Sequence, residues 1–102
     1  MLPELELSQL VLKGKKIMQV RFELGNAPLL ILKLEDGEGY VACGYISREA
    51  AEKLGDTAAF VSGVKTFEEV LNAKVKAVSS NAAKKGVKEG MSGREALEKM
   101  SE

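Results

Sequence analysis

Histidine is absent from this chain, and cysteine occurs once, at Cys43. Without histidine a single chain builds no Ser-His or Cys-His nucleophile pair, no histidine general base and no His-bearing zinc site. Catalysis would have to rest on Lys, Glu, Asp, Tyr or the one thiol. A lone cysteine also excludes an internal disulfide, which agrees with a reducing compartment. Neither sign of charge dominates. Fifteen Lys and Arg balance fifteen Asp and Glu, so no overall field draws the chain to nucleic acid or an anionic membrane. Aromatic residues are few: Phe22, Tyr40, Tyr45, Phe60 and Phe67. They do not interleave with the lysine groups 13, 15, 16 and 84, 85, 88, as an RNA-stacking platform requires. No apolar run approaches the roughly 20 residues that span a bilayer. The start, Met1-Leu2-Pro3-Glu4-Leu5-Glu6, lacks the basic and apolar stretches of a signal peptide. The expectation is a cytoplasmic protein with no nucleic-acid and no membrane partner.

What is present suits a single α+β domain over residues 1–102. Hydrophobic residues make up 45% of the chain and charged ones 29%, far from a composition that stays disordered. Leu5 and Leu7 alternate with Glu4, Glu6 and Ser8, and the pattern then slips by one into Leu10-Val11-Leu12, as in a strand with a bulge. Lys13-Gly14-Lys15 reads as a turn. Met18, Val20, Phe22 and Leu24 alternate with Gln19, Arg21 and Glu23, which predicts a strand with the first set buried and the second wet. Gly25-Asn26 supplies the next turn. Leu29-Leu30-Ile31-Leu32 is apolar on both sides and predicts a central strand covered above and below. Asp36-Gly37, a type I′ turn signal, leads to a fourth strand from Tyr40 to Ile46. The result is an antiparallel four-stranded meander over about residues 4–46.

Helices follow. Ser47 as N-cap and Gly55 as C-terminal cap bound a helix at 47–54. Residues 58–62 read as a fifth strand. Thr66 and Glu69 have capping-box spacing and open a helix at 66–72. The stretch after Asn72 fits two patterns: a strand at 74–78 followed by a helix at 79–85, which we favour, or one helix from 66 to 85. Ser92 and Glu95 form another capping box for a last helix at 92–100.

Three blocks carry a family resemblance: Gly39-Tyr40-Val41-Ala42-Cys43-Gly44-Tyr45-Ile46, Ala50-Ala51-Glu52-Lys53-Leu54-Gly55-Asp56, and Gly63-Val64-Lys65-Thr66-Phe67-Glu68-Glu69. They resemble the YunC-like family, a bacterial and archaeal domain of unknown function, and the resemblance covers most of the chain. It implies a small stand-alone α+β domain. It brings no activity, cofactor or catalytic residue with it.

Candidate chemistry concentrates near Cys43. A thiol just ahead of a helix N-terminus is stabilised as thiolate, with Lys65 or Arg48 as approaching cations. The alternative is a small apolar core residue. Gly63-Val64-Lys65-Thr66 stands between a strand and a helix, where exposed N–H groups and a lysine favour an anion, although P-loop spacing is missing. Arg94, in the first turn of the last helix, opposes the helix dipole and calls for a charge partner. Glu35, Asp36 and Glu38 read as a solvated hairpin tip rather than a metal site.

Two functional readings follow. The first is a non-catalytic binding or assembly module, a homo-oligomer whose partner covers the second face of the sheet, with a small anionic molecule bound near Gly44, Tyr45, Gly63, Lys65 and Thr66. The other is a thiol-dependent enzyme or redox sensor using Cys43. No metal and no cofactor is expected in either.

Overall fold

A computed structural model describes residues 5–25 and 27–102. Residue 4, where the first strand was expected to begin, and Asn26 of the Gly25-Asn26 turn lie outside the described residues. Six strands occur among the described residues: β1 (Leu5–Leu12), β2 (Lys15–Glu23), β3 (Pro28–Leu34), β4 (Gly39–Ala42), β5 (Thr57–Phe60) and β6 (Ala77–Val78). Four short helices accompany them, α1 (Arg48–Leu54), α2 (Phe67–Asn72), α3 (Ser80–Lys84) and α4 (Gly93–Met100). The strands lie in one sheet in chain order. All neighbours are antiparallel except β4 and β5. A parallel pair needs a crossover, and α1 supplies it. The α+β class and the four-stranded meander are as expected, with helix bounds within two residues.

Several local expectations are corrected. β1 has no bulge: its register with β2 runs unbroken from Leu5↔Phe22 to Leu12↔Lys15. The apparent slip arises because both faces of β1 are apolar. Leu10 and Leu12 turn toward the helices, while Leu5, Leu7 and Val11 turn away. β4 stops at Ala42 rather than Ile46, because the Ile46 N–H donates back to the Cys43 carbonyl and closes a turn. The fifth strand is 57–60, not 58–62. Asp36-Gly37 forms part of a four-residue loop instead of a type I′ turn, held by the Lys33 ammonium on the carbonyls of Leu34 (2.9 Å) and Gly37 (2.8 Å). The single helix 66–85 is excluded, since α2 ends at Asn72 with Ala73 extended. Residues 74–78 are extended but change partners, so only Ala77 and Val78 form a true strand. The Val75 N–H donates to Met91, and the Lys76 N–H to Phe60.

The largest correction concerns the faces of β2. Helices α2 and α4 cover the side that carries Ile17 and Gln19, both buried, together with Leu30, Leu32, Leu34 and Val41. Gln19 can lie there because its amide donates to Ser8 Oγ at 3.2 Å. Arg21 can too, because its guanidinium reaches the Lys65 carbonyl (3.1 Å) and the Glu23 carboxylate. Met18, Val20 and Phe22, expected to be buried, therefore point to the opposite face. On that face α1 covers only the β4–β5 half. Ala51 packs there on Ala42, Ala58 and Phe60, and Tyr40 meets Phe60 edge-on with ring centroids 6.5 Å apart.

Ser79 ties the second half together. Its buried hydroxyl donates to the Asp56 carbonyl (2.7 Å) and accepts from the N–H groups of Ala58 (3.0 Å) and Ala82 (3.3 Å). Ser79→Ala leaves buried main-chain groups unpaired and removes the α3 N-cap, so it should destabilise by about 2 to 3 kcal/mol in chemical denaturation.

Candidate functional site

Five of the residues singled out from the sequence, Cys43, Gly44, Tyr45, Gly63 and Lys65, line one cleft of about 330 Å³ next to Pro28. The turns after β4 and after β5 meet there because those strands are parallel neighbours that finish at the same end of the sheet. Thr66 lies just outside, as N-cap of α2 and on a shallower groove that shares Gly63.

Cys43 is buried, and its sulfur is held by main chain. Sγ accepts the Leu30 N–H at 3.3 Å, and the thiol faces the Pro28 carbonyl at 3.9 Å. Its side chain joins the cluster on the α2–α4 face, whereas α1 lies on the other face. The α1 N-terminus therefore does not back the thiol. Arg48 points elsewhere, its Nε donating to the Val78 carbonyl at 3.2 Å. At the Lys65-Thr66 turn the position an anion would take is filled from within: the Lys65 N–H donates to Glu69 Oε1 at 2.7 Å, and Glu68 adds a second carboxylate to the first turn. Glu35, Asp36 and Glu38 are exposed around the β3–β4 loop, with Glu35 accepting from Gln9. Arg94 is exposed and forms no ion pair among the described residues.

A second region is the sheet face expected to be covered by another copy, built from residues that were not singled out as a site. On the face away from α2 and α4, β1 to β3 carry a continuous apolar surface. Leu7 is 65% exposed and Met18 46%, with Leu5 and Val11 also exposed and Val20, Phe22, Leu29 and Ile31 half-buried. Register places them side by side, in the rows Leu5–Phe22–Leu29 and Leu7–Val20–Ile31. Toward the Lys13-Gly14 turn the same face becomes polar, with Gln9, Lys16, Lys33 and Glu35. Soluble monomers seldom leave so large an apolar patch in water. The available signal was the period-2 spacing of Leu5, Leu7 and Val11, which sets them on one face opposite Leu10 and Leu12.

Between that surface and α1 runs a cleft of about 450 Å³ lined by Ile31, Lys33, Tyr40, Ile46, Leu54 and Asp56. The Tyr40 hydroxyl donates to Asp56 Oδ2 at 2.7 Å. Desolvation, then the Asp56 carboxylate, raises the Tyr40 phenol well above its ordinary value of 10. A folded-state value above the unfolded one means that the protonated phenol contributes stability in full below pH 10. That contribution is lost as pH rises from there through the folded-state value. Stability should thus decline above pH 10 in urea titrations at stepped pH, and Tyr40→Phe should flatten that decline.

Residues 42–100 match the family model described as "Domain of unknown function (DUF1805)". The chain is similar to the "Uncharacterized protein YunC" of Bacillus subtilis (strain 168), 31% identical over 98 residues that cover 92% of this chain and 95% of that one. It also resembles the crystal structure of a protein of unknown function, TA1206, from Thermoplasma acidophilum. That match has 38% identity and a TM-score of 0.88, covering 94% of this chain and 92% of the other.

Proposed function

The chain belongs to the DUF1805 family, and on that footing we propose that it is a non-catalytic assembly domain that pairs with copies of itself through the open face of β1 to β3. One observation carries the reading. The most regular apolar alternation in the sequence, Met18-Val20-Phe22, belongs to the face that a single chain leaves open. Hiding such a surface gains about 25 cal/mol per Å², and a second copy offers the same surface in return. The single cysteine fits a reducing setting such as the cytoplasm.

Light scattering across a dilution series should give about twice the 11.0 kDa chain mass. A monodisperse single-chain species at tens of micromolar would end the reading. For a small anion the Cys43 cleft offers Lys65, but the adjoining N–H already holds Glu69, so phosphate and phosphorylated metabolites should leave the melting temperature unchanged. Among the described residues Cys43 has main-chain partners only. Its reaction with an aromatic disulfide reagent should follow the rate of unfolding, and rapid alkylation of the folded protein would revive a thiol-based activity.

A further inference from the structure

Resting on the self-assembly reading, we infer the arrangement of the two copies: the β1–β3 faces pack with their strands aligned about a two-fold axis that runs along β2. Each copy's β1 then lies over the other's β3, and its free edge lies against the other's α1.

The steric argument starts from α1. It stands on the open face over β4 and β5, and a helix is about 10 Å thick, the spacing of two face-packed sheets. A two-fold axis across the strands would stack α1 on α1 and hold the β1–β3 surfaces about two helix layers apart. An axis along the strands places the two helices at opposite sides, where each walls in three strands of the other copy.

The flank of α1 that faces this step is built for the contact. Glu52 marks the side toward α3, since its carboxylate accepts from the Ser80 N–H at 2.9 Å. At about 100° per residue the opposite side carries Ala50 and Leu54. Leu54 is 77% exposed and lines the cleft beside β3 together with Ile31 and Ile46.

The edge of β1 fits the same place. It is eight residues long and unbulged, with Glu6 its only charge and neither lysine nor proline to guard it. Polarity agrees as well. The strand-parallel axis keeps Lys16, Lys33 and Glu35 of both copies together at one wet rim, whereas the crossed axis would press them onto Leu5, Phe22 and Leu29. Three strands of about eight residues give a flat footprint near 400 Å². Side-chain relief and the Leu54 flank bring this toward the roughly 800 Å² per partner of a standard interface.

Single cysteines in a Cys43→Ala background test the arrangement with a short bis-maleimide linker. Val20→Cys, beside the axis, should link to its own copy in high yield. Leu7→Cys should link poorly to itself, its two copies lying roughly 14 Å apart, but well to Ala50→Cys in mixed dimers. Efficient Leu7→Cys self-linking without Val20→Cys linking would mean edge-to-edge β1 pairing and would overturn the arrangement while leaving self-assembly standing. A single-chain mass in scattering would instead remove the reading beneath it.

Discussion

Met18→Glu should convert the dimer to a folded monomer, weakening association by about 100-fold or more, roughly 3 kcal/mol. Met18 sits in the middle of the open face, between Gln9 on β1 and Lys33 on β3. In the isolated chain it is 46% exposed, so a carboxylate there stays in water and the fold should lose no more than about 1 kcal/mol. In the pair the axis along β2 would bring the two introduced carboxylates face to face and out of water, a repulsion that the Lys33 beside each does not offset. Sedimentation equilibrium reads the association, and far-UV circular dichroism checks the fold. Leu7→Glu should act in the same way. Glu68→Lys, on the first turn of α2 and behind the opposite face of the sheet, is the control that leaves the mass unchanged. If Met18→Glu and wild type sediment alike, the open face is not where copies meet.

Gly93→Ala should be the most destabilising single methyl in the chain's second half. A Cβ at Gly93 would stand 2.2 Å from the Val70 carbonyl oxygen and 3.1 Å from its carbon. Both atoms belong to the α2 backbone and cannot rotate aside. Gly93 cannot retreat either, because its N–H donates to the Ala73 carbonyl at 2.9 Å as α4 begins. The two helices would have to separate, at a cost of about 3 kcal/mol or more, which at this chain length lowers Tm by roughly 15 °C. Gly90→Ala is the comparison. There φ is +96° with open space around the new methyl, and the loss should be about 1 kcal/mol. Equal effects for the two variants would mean that the α2–α4 approach is looser than described.

The elements were legible because their signals are local. Ser47, Thr66, Ser79 and Ser92 each cap the helix expected after them, and the strand alternations located β1 to β3. What stayed hidden depends on distance. Which face of β2 looks to the helices cannot be read from Met18-Val20-Phe22 against Gln19-Arg21, because Gln19 is buried only through Ser8 on the neighbouring strand and Arg21 is satisfied by Lys65, far along the chain. The parallel pairing of β4 with β5 depends on α1 folding back, which no short pattern encodes. The residues of the Cys43 cleft stood out in the sequence as two glycine-bearing turns after strands, but that the turns meet is set by that parallel pairing. Its electrostatics were legible in part: the Thr66–Glu69 spacing returns the Glu69 carboxylate to the helix start, and the structure shows it on the Lys65 N–H rather than on that of Thr66.

β6 is two residues long and leads directly into α3, so the two borders of the sheet are unequal. A long border that could pair only with a short, helix-flanked one has no repeating head-to-tail contact to propagate. Strand pairing into open-ended fibres finds no matching partner at the short border, and the long one is the border that the inferred arrangement seats against the other copy's α1.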